Sequence, residues 1–126
     1  MKRESAARPG CCFAFKIMQT SPVPWKVLSS HLGLGVLTDG WCLDAREDSE
    51  GVESRCFRME VVFDTPFSSV PVVQLGLTGF DIDQRDTARV SLKAAAITPT
   101  GFVAEVWTWA NTRVYAVEFN WLAIGA

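Results

Sequence analysis

A chain of 126 residues, 48% hydrophobic and 21% charged, suits one folded domain and excludes a disordered polypeptide. A net charge of −2 with no basic stripe argues against nucleic acid as a partner. No run of about 18 apolar residues occurs, so no membrane insertion is expected.

The first stretch, "MKRESAARPGCCFAFKIM", starts basic as a secretory signal does, but "CCFAF" is short for an apolar segment and Lys16 breaks it. No signal peptide is read here. Residues 1–30 carry no sustained period and are punctuated by Pro9, Pro22, Pro24 and "VLSSH", so they are expected to be an irregular N-terminal arm. The folded domain is then expected to span 31–126. "LGLGVLTDGW" offers a short strand near Val36 and Leu37, ended by Asp39-Gly40. "CLDAREDSEGVES" is acidic and turn-rich, which makes it a surface loop.

From Arg55 the pattern takes a period of two. In "RCFRMEVVF", Phe57, Met59, Val61 and Phe63 alternate with Arg58, Glu60 and Val62. "VVQLGLTGFDI" is apolar and β-branched. In "ARVSLKAAAIT", Val90, Leu92 and Ala94 oppose Arg89, Ser91 and Lys93. "TPTG" reads as a turn, and "FVAEVWTW" and "RVYAVEFNWLAI" as two more strands joined at Ala110-Asn111-Thr112. No helical period survives. Short strands separated by regular turn signals predict an all-β fold, an antiparallel β-sandwich.

Catalytic groups are sparse. His31 is the only histidine, so no Ser-His-Asp set is available, and a lone histidine is expected to be a satisfied surface residue. Cys11, Cys12, Cys42 and Cys56 have neither CxxC spacing nor a histidine partner. They are expected to be free thiols, with neither metal nor cofactor bound. Carboxylates cluster in 44–53 and at Asp81, Asp83 and Asp86. Paired carboxylates are also the apparatus of glycoside hydrolysis, but solvated loop charge is the preferred reading.

On "FVAEVWTW" the alternation places Phe102, Ala104, Val106 and Thr108 on one face and Val103, Glu105, Trp107 and Trp109 on the other. Apolar groups on both faces suggest a contact between subunits. Pattern alone leaves Trp109 either exposed at a strand end or capping the core. An exposed indole suits the C–H face of a sugar, with Arg, Asp or Asn taking the hydroxyls.

The stretches "FDTPFSSVPVVQLGLTGFDID", "ARVSLKAAAITPTGF" and "VWTWANTRVYAVEFNWLAIG" resemble the H-type lectin domain of snail agglutinins and of the C-terminal part of discoidins. The resemblance runs from about Phe63 to Gly125 and rests on T-P-T-G-F, T-W-x-N-T-x-V-Y and W-x-A-I-G. It implies a six-stranded antiparallel β-sandwich that assembles as a homotrimer. It also implies binding of N-acetylgalactosamine or galactose-type glycans, without catalysis, for adhesion or agglutination. That function would favour an extracellular or cell-surface location.

By the same resemblance, Arg89 holds sugar hydroxyls, and Trp109 and Tyr115 come from the adjoining subunit. Ala110 stands where some members have a histidine. A loop acid completes the set: Glu53, two residues after Gly51, is the best match, with Asp48 and Glu50 as rivals. The alternatives are a structural trimerisation module without sugar binding and, third, a glycoside hydrolase. A chain lacking residues 1–30 is expected to remain a folded trimer.

Overall fold

The computed structural model describes residues 25–45 and 53–126. Six strands follow one another: β1 (Lys26–Gly35), β2 (Ser54–Val62), β3 (Val72–Ile82), β4 (Ser91–Thr98), β5 (Gly101–Trp109) and β6 (Val114–Gly125). They form two antiparallel three-stranded sheets, ordered β1-β6-β3 and β2-β5-β4. No helix occurs among the described residues. The fold is the all-β, six-stranded antiparallel sandwich that the alternating patterns predict.

The core lies between the two central strands. Val117, Phe119, Trp121 and Ala123 of β6 face Phe102, Ala104 and Val106 of β5, and all seven are buried. Period-two alternation produces this, because successive side chains of a strand point to opposite faces of its sheet. Phe57 and Phe63 of the "RCFRMEVVF" run join the core, while Val62 between them is 72% exposed. Trp121 sits at the centre of an aromatic cluster, 5.5 Å edge-on from Phe102 and 5.7 Å from Phe63. Trp41 packs 5.1 Å from Phe57 and donates its indole N–H to the Val114 carbonyl at 2.9 Å. Gly40 precedes Trp41 at φ +83°, a conformation glycine adopts without steric strain.

Two expectations are corrected at the start of the domain. The segment expected to be an irregular arm to residue 30 contains the beginning of β1, which starts at Lys26. Residues 1–24, including Cys11 and Cys12, lie outside the described residues. The strand expected near Val36 and Leu37 ends instead at Gly35, and Leu37 is 99% exposed in the turn that follows. Along β1, Leu28, Leu32 and Leu34 turn toward the core, and Lys26 donates to the Thr65 hydroxyl and to the Thr65 and Pro66 carbonyls. The deletion of 1–30 would therefore remove the pairing of Lys26–Ser30 with Trp121–Gly125. Loss of Leu28 packing together with that ladder is expected to lower stability by at least about 2 kcal/mol. Thermal melts of chains starting at residue 25 and at residue 31 check this. Equal midpoints would show that β1 before His31 contributes nothing.

The edge strands depart from regular pairing. β3 shifts register between Leu77 and Gly79 and again between Asp81 and Ile82. β4 shifts between Ala95 and Thr98, with Ala96 at φ 50°. Such bulges bend edge strands away from open-ended pairing.

Candidate functional site

Three of the residues singled out in the sequence lie at the same end of the β2-β5-β4 sheet. Trp109 ends β5 on the outer face and is 39% exposed, which settles its position in favour of an exposed strand end. Ser54 pairs with Trp109 across the β2–β5 ladder, so exposed Glu53 lies next to that pair. Ser91 pairs with Trp107 on the other side, which brings Arg89, two residues before Ser91, toward the same end. The Thr108 hydroxyl donates to the Arg89 carbonyl at 2.6 Å and ties the end of β5 to the segment that leads into β4. Gly51, Asp48 and Glu50 lie outside the described residues.

The fourth, Tyr115, faces another set of groups. Its hydroxyl donates to Asp83 Oδ2 at 2.9 Å, and it lines a polar cup with Asp81, Asp83, Gln84 and Arg85. The turn at Ala110–Thr112 lies between Trp109 and this cup in the chain.

That turn is closely held. Ala110 has φ 58°, a left-handed conformation in which an L side chain is strained. Arg55 reaches under the turn and donates through Nη2 to the carbonyls of Ala110 at 3.0 Å and Thr112 at 2.7 Å. Its Nη1 donates to the carbonyl of Ala45 at 2.7 Å, at the start of the acidic loop. Thr112 is fully buried, donates to the Thr87 carbonyl at 2.7 Å and accepts Arg89 Nη1 at 2.8 Å.

The charges nearby fall into two groups. Asp86 is a bidentate partner of Arg113, at 3.1 Å to Nη2 and 3.1 Å to Nε, and accepts the Arg113 backbone N–H at 2.9 Å. Asp83 accepts the Arg85 Nε–H at 2.9 Å, its Nη2–H at 2.7 Å and its backbone N–H at 2.9 Å. By contrast, no carboxylate pairs with Arg89 among the described residues.

Hydrogen bonds from Arg85 hold the Asp83 carboxyl far below its usual range. Those from Arg113 hold Asp86 below it, against burial. The bond to Asp83 pushes the Tyr115 phenol upward. Carboxylates held ionised in this way are poor proton donors, the opposite of what a glycosidase acid requires. The same shifts fix a sign. The unfolded chain binds more protons than the native one once pH falls below about 4. Stability from this pair is fully present above that pH and declines below it. Melting temperatures measured from pH 7 down to 3 are expected to stay level and then fall, with a shallower acid limb in Asp83→Asn. An unchanged acid limb in that variant would remove Asp83 from the account.

His31 is exposed, with Nε2 3.2 Å from the Thr78 hydroxyl. Cys42 and Cys56 are free thiols. Burial raises the Cys56 thiol above its ordinary range. On the outer face of β5, the Trp107 indole donates to Glu105 at 3.0 Å, and Arg58 and Lys93 lie 5.9 Å and 5.4 Å from its ring.

Sequence reading missed Arg55, Thr108 and Thr112 as supports. A signal for two of them existed: Arg55 continues the core-facing parity of Phe57 and Met59, and Thr108 that of Ala104 and Val106. A polar residue at the end of a buried stripe marks where the core gives way to a hydrogen-bonded site.

Comparison with known proteins agrees with this architecture. The H-type lectin domain model matches residues 58–124. The chain is 40% identical over 96 residues to a Fuscovulum blasticum protein called "ATP synthase subunits region ORF 7", covering 76% of this chain and 83% of that one. Two structures of discoidin II from Dictyostelium discoideum superpose with TM-scores of 0.65 and 0.64 at 27% identity, each over 86% of this chain. The chain spans only 39% and 40% of those two discoidin II chains. With the family match covering more than half its length and the discoidin-like sandwich beneath it, the chain belongs to the H-type lectin domain family, as a lectin-type carbohydrate-binding module.

Proposed function

We propose that this module binds glycans ending in N-acetylgalactosamine or galactose, and that the end of the β2-β5-β4 sheet is where it does so. The observation that carries the reading is Trp109. It is a large indole left 39% exposed at a strand end, on the same sheet end as Arg89 and Glu53. Such a surface stacks on the C–H face of a pyranose, while the guanidinium and carboxylate take hydroxyls. In a homotrimer, Trp109 and Tyr115 of one subunit would complete the site of Arg89, Glu53 and Gly51 of the next. Single sugar sites of this kind are shallow and weak, and three on one assembly raise avidity for a glycan surface. Adhesion or agglutination follows, without catalysis.

A structural trimerisation module without sugar binding is the second reading. It is favoured by Ala110, which offers no hydrogen-bonding side chain, and by the Tyr115 hydroxyl, already committed to Asp83. Light scattering and a glycan array on the purified chain test both readings. A trimer retained by galactose- or N-acetylgalactosamine-bearing glycans supports the lectin reading. A trimer that binds nothing on a broad array leaves the structural one. A monomer would remove the shared site.

Ala110 gives a further handle. Its left-handed backbone suits glycine, and asparagine, aspartate and histidine are enriched in that region. Ala110→Gly is expected to stabilise the chain by about 0.5–1 kcal/mol. Ala110→His is expected to fold and to tighten sugar binding by about fivefold, one added hydrogen bond being about 1 kcal/mol. A melt and a titration of each variant check this, and weaker binding by Ala110→His would place the turn away from the ligand.

A further inference from the structure

We infer that Thr112 is the positioning residue of this site: its buried hydroxyl sets the plane of the Arg89 guanidinium, and so how tightly the site holds a sugar. The inference rests on the reading of Arg89 as the group that takes sugar hydroxyls.

The geometry at Thr112 leaves one arrangement. Its hydroxyl has a single proton, and that proton goes to the Thr87 carbonyl at 2.7 Å. The oxygen therefore presents a lone pair, which accepts Arg89 Nη1 at 2.8 Å. Because the residue is fully buried, the hydroxyl cannot turn to water instead. A hydroxyl that donates to a carbonyl is also polarised into a better acceptor. The carbonyl of Arg89 is fixed separately by Thr108, at 2.6 Å. Arg89 is thus gripped at its backbone and at its tip by two buried threonines.

Arg55 sets Thr112 in turn, through the Thr112 carbonyl at 2.7 Å and the Ala110 carbonyl at 3.0 Å. The choice of a neutral acceptor matters. Arg85 and Arg113 are matched by the carboxylates of Asp83 and Asp86. Among the described residues Arg89 has no carboxylate partner and is oriented by a hydroxyl, which fixes the guanidinium without cancelling its charge. With one N–H committed to Thr112, the remaining donors of the planar group hold a fixed direction for a ligand. An arginine ordered in advance loses less rotamer freedom on binding.

The test titrates the full chain with N-acetylgalactosamine by calorimetry, below the melting temperature of each variant. Arg89→Ala is expected to lose measurable binding. Thr112→Val, nearly isosteric, is expected to bind about five- to tenfold more weakly, the effect of one lost hydrogen bond. Thr112→Ser is expected to stay within about twofold of the parent, since it restores the hydroxyl. A purely structural threonine would lower the melting temperature in Thr112→Val and leave affinity unchanged. That result, with binding lost in Arg89→Ala, overturns the inference and leaves the site standing. Full binding by Arg89→Ala, or none by the parent, removes the site and the inference with it. If Thr112→Val does not fold, the order parameter of the Arg89 side-chain N–H in the unliganded parent decides. A rigid value near about 0.85 supports positioning, and a mobile one below about 0.6 overturns it.

Discussion

Arg55→Ala is expected to be the most damaging single substitution at the site end of the sandwich, lowering stability by about 2–4 kcal/mol. One guanidinium accepts the work of three connections, because it donates to the carbonyls of Ala45, Ala110 and Thr112. Each is a charge-assisted bond, stronger than a neutral one, and truncation leaves three carbonyls in need of water. The turn they belong to is already strained by the φ of 58° at Ala110, so it has little reserve. For a chain of this size the loss corresponds to a melting temperature lower by roughly 10 °C. Arg55→Lys is expected to recover only part of it, since one ammonium cannot span carbonyls on both sides of a fork. A thermal melt of the two variants decides. If Arg55→Ala melts within about 2 °C of the parent, water replaces the clamp freely and the turn is held by its other contacts.

The clamp also shows where sequence reading reaches its limit. Alternation alone located the buried faces of β2 and β5, because a half-buried strand separates apolar from polar side chains residue by residue. Phe57, Phe63, Phe102, Ala104 and Val106 are all buried as that rule requires. It failed in β4 after Ala94. There, three consecutive alanines carry no pattern, and a bulge at Ala96 brings Ile97 back against the core. It failed again in β1, an edge strand with one neighbour, where Ser29, Ser30, Gly33 and Gly35 dilute the apolar positions.

The site divides in the same way. The outward parity of Trp109 was legible, since it follows from counting along β5. The hydroxyl of Thr112, the fork of Arg55 and the carboxylate on Tyr115 were not. Hydrogen bonds to backbone carbonyls and between residues 32 apart leave no periodic trace in a sequence. Glu53 was placed by resemblance, and the ladder brings it beside Trp109 through a pairing that composition does not reveal.

The second large effect separates binding from folding. Arg89→Ala is expected to abolish sugar binding while moving the melting temperature little. Among the described residues the lost guanidinium makes one bond, to Thr112, while its backbone stays fixed by Thr108. Toward a sugar, its charge-assisted hydrogen bonds are each worth roughly 1.5–3 kcal/mol, and about 1.4 kcal/mol is already tenfold in affinity. Trp109→Ala is expected to weaken binding by at least about tenfold through loss of the stacking surface, each aromatic contact contributing about 1 kcal/mol beyond its buried area. Its effect on folding is expected to stay near 1 kcal/mol, because the ring is 39% exposed and stands outside the hydrophobic core. Trp121→Ala provides the opposite control. That ring is 7% exposed and packs against Phe63 and Phe102, so truncation is expected to cost about 3–5 kcal/mol of stability. Calorimetry against N-acetylgalactosamine and a thermal melt on all three variants distinguish the roles. Should Trp109→Ala melt as low as Trp121→Ala, Trp109 belongs to the packing of the sandwich or its assembly. Should Arg89→Ala bind like the parent, the sugar is held elsewhere on the module.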